Sequence, residues 1–395
     1  MTLPVVRLAP QGDGPARGRH PWVFSGAIAR ADDCEPGAEV RVLDSGGAFV
    51  ARGLFNPHSQ IRVRLYRWHD EPLDDAFFAE RVRKAVELRS GTLGLGDPRG
   101  ACRLIFSEGD GLSGLTVDRY GPHLAVQLTS LALHRRLDAL LDALHETVEP
   151  DSILLRTEKG MAEEEGLLVR DGPLRGDPPE APIEVVDGGL RFSVDLRTGH
   201  KTGFYLDQRT NRARVAAYAE GREVADVCAY TGGFSVATLR AGAAHAVAVD
   251  SSASALELAA ANAVLNGVDE RFDRARANAF EWLAERGAAG RRYGLVVLDP
   301  PRFARSRRGV RSALQAYHRL NALALACLEP GGVLATFSCS GRVSEEDFRG
   351  ALGRAAADSG RPVRIVERLG QAPDHPVAAT CPQSTYLKGF LCLVG

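Results

Sequence analysis

The chain reads as an α/β protein whose C-terminal half is a Rossmann-like, doubly wound domain, preceded by a β-rich segment and then a small α+β segment. Three observations predict this. From about residue 186 onward, apolar strand-like runs alternate with helical stretches, the pattern of a parallel sheet covered on both faces. Residues 1 to about 70 hold short β-type runs broken by Gly, Pro and Asp, with little helical periodicity. The stretch between mixes both signatures. The expected domains are therefore 1–72, 73–185 and 186–395.

Composition narrows the class. The chain has 395 residues, 45% of them hydrophobic and 25% charged, which is ordinary for a globular protein with a sizeable core. No run approaches the roughly 18 apolar residues of a membrane span. The start, Met1-Thr2-Leu3-Pro4-Val5-Val6-Arg7, lacks the layout of a signal peptide, so the expectation is a cytoplasmic protein without a membrane partner. The seven cysteines (34, 102, 228, 327, 339, 381, 392) are odd in number, scattered and without a CxxC pair. Neither a disulfide framework nor a metal site is expected.

A formal net charge of -1 does not point to a polyanionic partner, so local clusters must carry that case. Residues 302–311 hold five arginines and no acid, and Arg52 to Arg67 holds four more. Both are candidates for phosphate contact. The plainer reading is coding bias, because the chain uses 45 arginines against four lysines.

The elements follow in order. Runs at 39–43, 48–51 and 61–66 suggest a small β-barrel. Asp75 to Leu88 places Phe77, Phe78, Val82, Ala85 and Val86 largely on one helical face. Strands are expected at 114–118, 123–128 and 152–156 and a helix around 131–147, with 171–182 as a Gly/Pro-rich connection. In the last region, the strand 222–228 leads into Ala229-Tyr230-Thr231-Gly232-Gly233-Phe234 and a helix from Ser235. The strand ending in Asp250 precedes a helix at 253–265; another stops at Asp299-Pro300-Pro301, and Cys339 ends a further one. Ligands belong at the carboxyl ends of such strands, where these polar groups sit.

A strand, a glycine turn, a helix and an acid ending the next strand make a nucleotide-type site. Glycine lets the backbone approach a ligand. Asp250, 18 residues after Gly232, is placed to accept hydrogen bonds from ribose hydroxyls. A dinucleotide and S-adenosylmethionine both suit that geometry, but the dinucleotide turn requires GxGxxG and the chain offers Thr231-Gly232-Gly233-Phe234, which favours the methyl donor. Asn278 either meets the adenine ring or is a helix N-cap. The segment Lys201-Thr202-Gly203-Phe204-Tyr205-Leu206-Asp207-Gln208-Arg209 suggests that Gln208 and its neighbours cover the cofactor. The candidate cofactor residues are Gln208, Tyr230, Thr231, Gly232, Gly233, Phe234, Asp250, Ser251, Asn278 and Asp299.

Cys339 sits between two serines at a strand mouth. The C5 carbon of a pyrimidine is a weak nucleophile, and addition of a thiolate at C6 makes it enolate-like, which is covalent catalysis by a positioned cysteine. Asp299 could hold the N3/N4 edge of cytosine. Asp374 and His375 are candidates for removing the C5 proton. The plainer reading of Cys339 is a small buried hydrophobe, as expected for Cys327 and Cys392; packing is also expected for Cys228, and Cys381 is ambiguous.

The segment Gly199 to Arg209, Tyr230-Thr231-Gly232-Gly233-Phe234, Asp299-Pro300-Pro301-Arg302-Phe303, Phe337-Ser338-Cys339-Ser340-Gly341, Asp374-His375-Pro376 and Tyr386-Leu387-Lys388-Gly389-Phe390 together resemble the ribosomal RNA large subunit methyltransferase I family. Gly18-Arg19-His20-Pro21-Trp22-Val23-Phe24 and the β segment after it look like the family's PUA domain, an RNA-binding pseudo-barrel. The resemblance covers essentially the whole chain. It implies S-adenosylmethionine as cofactor, large-subunit (23S) ribosomal RNA as partner and 5-methylcytosine as product, with Cys339 as nucleophile and Asp299 facing the base; a homodimer is left open. One departure stands out: another large group of RNA 5-methylcytosine enzymes has a cysteine after a proline in the motif beginning at Asp299, and here Pro300-Pro301-Arg302 supplies no thiol. The competing readings are a sister architecture that methylates guanine at N7, with no need of a cysteine, and a non-catalytic RNA-binding assembly factor.

Overall fold

The computed structural model describes residues 3–157, 160–197, 199, 202–304 and 307–395. Two compact units emerge, one made of Met1–Val185, Asp195–Phe204 and Pro373–Ser384, the other of Val186–Val194, Tyr205–Ala372 and Thr385–Gly395.

The first unit holds two sheets. One contains β1 (Val5–Leu8), β2 (Trp22–Phe24), β3 (Ile28–Ala31), β4 (Glu39–Leu43), β5 (Phe49–Phe55) and β6 (Ile61–Arg67), in the order β2-β6-β5-β4-β1-β3. Its strands alternate as a half-buried sheet should: Val40, Val42, Val63 and Leu65 pack inward with Val6 and Leu8. The second sheet contains β7 (Ala101–Phe106), β8 (Leu115–Tyr120), β9 (His123–Leu128), β10 (Ser152–Leu155) and β11 (Gly172–Arg175), in the order β11-β10-β9-β8-β7. β11 corrects the expectation of a plain connection at 171–182. Its Pro173 is tolerated because β11 is an edge strand, where a missing N–H leaves no ladder bond unmade. The helix Asp75–Glu87 forms as expected, capped by Asp74, whose carboxylate accepts from the Phe77 amide. The expected helix at 131–147 is broken: Leu131–His134 and Leu137–Val148 flank Arg136, whose backbone leaves the helical region (φ -113°, ψ 15°).

A short ribbon, β12 (Ile183–Asp187) and β13 (Leu190–Val194), leads to the seven-stranded sheet of the second unit. Its strands are β14 (Glu223–Val227), β15 (His245–Asp250), β16 (Phe272–Arg276), β17 (Tyr293–Leu298), β18 (Leu328–Ser338), β19 (Val363–Gly370) and β20 (Lys388–Val394), in the order β16-β15-β14-β17-β18-β20-β19. The first five are parallel. β20 inserts antiparallel between β18 and β19, so the sheet is mixed and not wholly parallel as expected.

Each central strand feeds two cores. Along β17, Val296 and Leu298 pack with Trp282, Tyr317 and Phe348 on one face, while Leu295 and Val297 pack with Phe234, Leu239 and Ala263 on the other. That is why β17 is apolar and buried throughout. The order places the carboxyl ends of β14, β15, β17 and β18 side by side, and every strand-end group singled out in the sequence lies there. Among the described residues, no helix is long and apolar enough to cross a membrane.

Candidate active site

The turn after β14 is built from unusual backbone. Cys228 (φ 65°) and Tyr230 (φ 50°) adopt left-handed conformations although neither is glycine. Tertiary bonds hold them: the Cys228 and Ala229 amides both donate to the Val249 carbonyl (2.8 and 3.0 Å), and the Tyr230 amide donates to the Asp250 carboxylate (2.9 Å). Such backbone strain at a strand end is characteristic of functional loops. Gly232 (φ 73°) precedes the helix Gly233–Arg240, and a Cβ there would lie 3.0 Å from the Ala259 side chain. Only glycine lets the turn pack this closely on the next helix.

Asp250 is fixed from two sides. One carboxylate oxygen accepts from the Tyr230 amide and the other from the Ser252 amide (2.9 Å). Ser252, rather than Ser251, caps the helix Ala253–Leu265, and Ser251 is exposed beside it. A carboxylate oxygen can accept more than one bond, so the half-buried Asp250 retains capacity for a ribose diol. Asn278 is the N-cap of Ala279–Ala288, with its carboxamide oxygen accepting from the Phe280 amide (2.9 Å).

Below the turn, Asp226 is fully buried. One of its oxygens accepts from both the amide and the hydroxyl of Ser235 (2.9 and 2.7 Å); the other has no hydrogen-bond partner among the described residues. Burial, opposed by those bonds, pushes its carboxyl up to about 6. Burial also drives the Cys228 thiol far above its ordinary range, with the charges of Asp250, Asp299 and Asp226 adding to the effect. Burial thus favours the neutral thiol of Cys228, which packs against the core that holds Val227 and Leu298. The carboxylates that surround it favour a cationic ligand and disfavour a pyrophosphate.

Asp299 and Cys339 come together because β17 and β18 are parallel neighbours with Leu298 opposite Thr336. The Asp299 carboxylate accepts from the Gln208 side chain (3.0 Å), and Gln208 is itself held by Asn211, whose amide donates to the Gln208 oxygen (2.5 Å) and to the Gly370 carbonyl (2.8 Å). Gln208 is only 2% exposed and acts on Asp299 directly. The half-buried Cys339 points its thiol at the Pro300 carbonyl, 3.7 Å away. Its flanking serines face inward: the Ser338 hydroxyl donates to the Tyr317 hydroxyl (2.9 Å), and the Ser340 hydroxyl pairs with Tyr317 (3.0 Å) and accepts from the Ala304 amide (3.2 Å). One tyrosine thus clamps both sides of the cysteine and ties it to the loop after Asp299.

Three further residues build this site: Tyr205 and Lys388, which the sequence showed within motifs but without a role of their own, and Tyr317, which it did not show. Tyr205 stands edge-on to Tyr230 (5.2 Å), and burial together with the Asp299 charge raises its phenol far above the ordinary range. Tyr317 is the clamp. Lys388, 7% exposed, donates to the carbonyls of Ser340 and Val343 (both 2.8 Å), and burial pushes its ammonium down to about 8. The sequence signal for Lys388 was a lysine at the head of an apolar strand in a chain with four lysines against 45 arginines.

Other candidates find partners elsewhere. Asp374 and His375 belong to the first unit, fully buried, with the His375 ring nitrogen 2.9 Å from Asp374, the other Asp374 oxygen accepting from the Arg103 amide, and the ring against Phe106 (5.3 Å). Thr202, also in that unit, donates to Asp118 (2.5 Å), while Thr198, His200 and Lys201 lie outside the described residues. Of the first arginine cluster, Arg52 pairs with Glu39 and Asp70, Arg64 with Glu165, and Arg67 with Glu71. In the second, Arg302, Arg308 and Arg311 are exposed, and Arg305 and Ser306 lie outside the described residues.

Comparison with known proteins agrees with this geometry. A family model described as S-adenosylmethionine-dependent methyltransferase matches residues 172–390, and a PUA-like domain model matches residues 6–68. The ribosomal RNA large subunit methyltransferase I of Erwinia tasmaniensis is 40% identical over 379 residues, covering 95% of this chain and 96% of its own. That of Salmonella enteritidis is 39% identical over 380 residues, covering 95% and 94%. Among solved structures, a Streptococcus mutans protein described as a SAM-dependent methyltransferase superposes with a TM-score of 0.85 at 18% identity, over 98% of this chain and 99% of that one. The methyltransferase SMU.776, solved in complex with SAH, gives 0.87 over the same shares at 18% identity. The protein is thus an S-adenosylmethionine-dependent methyltransferase, and the chain belongs to the ribosomal RNA large subunit methyltransferase I family.

Proposed function

We propose that the protein methylates C5 of a cytosine in large-subunit ribosomal RNA, through an adduct between Cys339 and C6 of the base. The observation that carries this reading is the meeting of a strand-end thiol and a strand-end carboxylate, Cys339 and Asp299, linked through the Pro300 carbonyl beside the glycine turn. The relatives' name, ribosomal RNA large subunit methyltransferase I, supports the substrate class.

The residues present fit S-adenosylmethionine. Asp250, aimed by two backbone amides, would take the ribose hydroxyls; the turn Tyr230 to Phe234 would pass beneath the amino-acid portion; and the carboxylates around Cys228 suit a sulfonium. When bound, that group supplies an electrophilic methyl carbon. Cys339 as thiolate adds through Sγ to C6, and the electron pair released to C5 forms the new bond to the methyl carbon as the bond from that carbon to the sulfonium sulfur breaks and the neutral thioether leaves. A general base then takes the C5 proton, the C–H electron pair re-forms the C5–C6 double bond, and Sγ leaves as thiolate. Asp299, held by Gln208, would receive the N3/N4 edge, accepting from the N4 amino group and, as the carboxylic acid, donating to N3 where negative charge develops as the adduct forms. A flipped or single-stranded base is required, since ring carbons inside a helix are inaccessible.

The test is methyl transfer from labelled S-adenosylmethionine to unmodified large-subunit ribosomal RNA, with the product nucleoside identified by mass spectrometry. The reading expects 5-methylcytidine. Methylated guanosine would select the sister reading, and RNA binding without transfer would select the assembly-factor reading.

A further inference from the structure

Lys388 is placed as no surface lysine would be. It opens β20 directly opposite Ser338, the last residue of β18, so its side chain enters the turn that carries Cys339. The ammonium is taken up by two carbonyls, those of Ser340 and Val343, which bracket that turn from the residue after the thiol to the start of the next helix. Gly389 beside it is also constrained: a Cβ there would lie 2.4 Å from the Phe337 ring, so the two strands meet closely at this point. Among the described residues the ammonium bonds to these two neutral carbonyls and forms no salt bridge, so a nearby thiolate gains from its charge.

We propose that Lys388 is a positioning residue for Cys339, fixing the thiol-bearing turn through the Ser340 and Val343 carbonyls and stabilising the thiolate by its charge. The inference rests on the reading of Cys339 as nucleophile. Among the described residues, charged or titratable groups about the pair include Asp299 at the end of β17, Tyr205, Tyr317 on the helix Val310–Ala326, Arg302, and Glu345 at the start of the helix Glu345–Ser359. Of these, Asp299 and Glu345 carry negative charge and Arg302 positive charge, and the ammonium of Lys388 is the cation bonded to the carbonyls of the turn.

The experiment measures alkylation of Cys339 by iodoacetamide across pH 6 to 10, followed on the Cys339 peptide by mass spectrometry so that the other six cysteines do not interfere. Wild type is compared with Lys388→Met and Lys388→Arg, each checked by its melting curve. Loss of the cation in Lys388→Met is expected to raise the midpoint by about one pH unit and slow alkylation at pH 7 about tenfold, whereas Lys388→Arg keeps the midpoint at or below that of wild type. A folded Lys388→Met with an unchanged midpoint overturns the proposal. Should that variant not fold, a Lys388→Arg midpoint raised above wild type overturns it equally. The readout does not depend on methyl transfer. A shifted midpoint with an active Cys339→Ala enzyme would therefore reject the nucleophile reading while leaving the lysine effect standing.

Discussion

Asp226 is the residue where burial conflicts most openly with charge. Its carboxyl titrates near 6 against an ordinary value of 3.8, so the folded state binds more protons than the unfolded state between those values. By linkage, the stability this group contributes is fully present below pH 3.8 and is lost as pH rises through 6. Asp226→Asn, which retains an oxygen for Ser235, is accordingly expected to stabilise the protein by about 2 kcal/mol at pH 7 and to confer no gain near pH 4, as measured by denaturant unfolding at the two pH values. Asp250 poses the reverse case. Asp250→Ala leaves the Tyr230 and Ser252 amides without their acceptor and removes the proposed ribose contact, so S-adenosylmethionine affinity by calorimetry is expected to fall at least about tenfold. At this scale the sequence showed the strand-end acids and the thiol, because polar residues that close apolar runs stand out. It showed Tyr205 and Lys388 within motifs but not their roles, and Tyr317 not at all, because these roles arise from packing between distant segments. Gln208 was visible as a polar residue near the site, but its hold on Asp299 depends on a contact across 91 positions.

Among the elements, β14, β15 and β17 and the helix Ala253–Leu265 were legible nearly to their ends, because alternation of strand and helix with glycine turns is local information. The direction of β20 was not legible. Its run Gly389 to Val394 is apolar and buried on both faces whichever way it points, so only pairing with β18 and β19 reveals that it is antiparallel. That pairing has a measurable weak point in Gly389, opposite Phe337. Gly389→Ala drives a methyl into the ring and is expected to cost about 1–3 kcal/mol, read as a lowered denaturation midpoint with an unchanged m-value. A neutral substitution would mean that Phe337 can swing away, and that the close approach of β18 and β20 does not depend on glycine.

For the molecule as a whole, a net charge of -1 means that affinity for RNA must come from local patches. The Arg52 to Arg67 stretch is largely neutralised by acids within its own unit, while Arg302, Arg308 and Arg311 are exposed. We propose that the latter contact phosphate. Replacing the three with alanine is expected to reduce the slope of log affinity against log salt by about 2, since each contact to single-stranded RNA releases about 0.7 counterion. An unchanged slope would assign the cluster to coding bias. The account's central claim, covalent catalysis by Cys339, is tested most directly with large-subunit RNA carrying 5-fluorocytidine. Fluorine at C5 cannot leave as a proton, so an enzyme that has added its thiol and transferred methyl stays attached. A protein–RNA adduct that requires S-adenosylmethionine and maps to the Cys339 peptide is the result the account predicts. No adduct under conditions where the unmodified RNA is methylated, or an adduct on another cysteine, would contradict it.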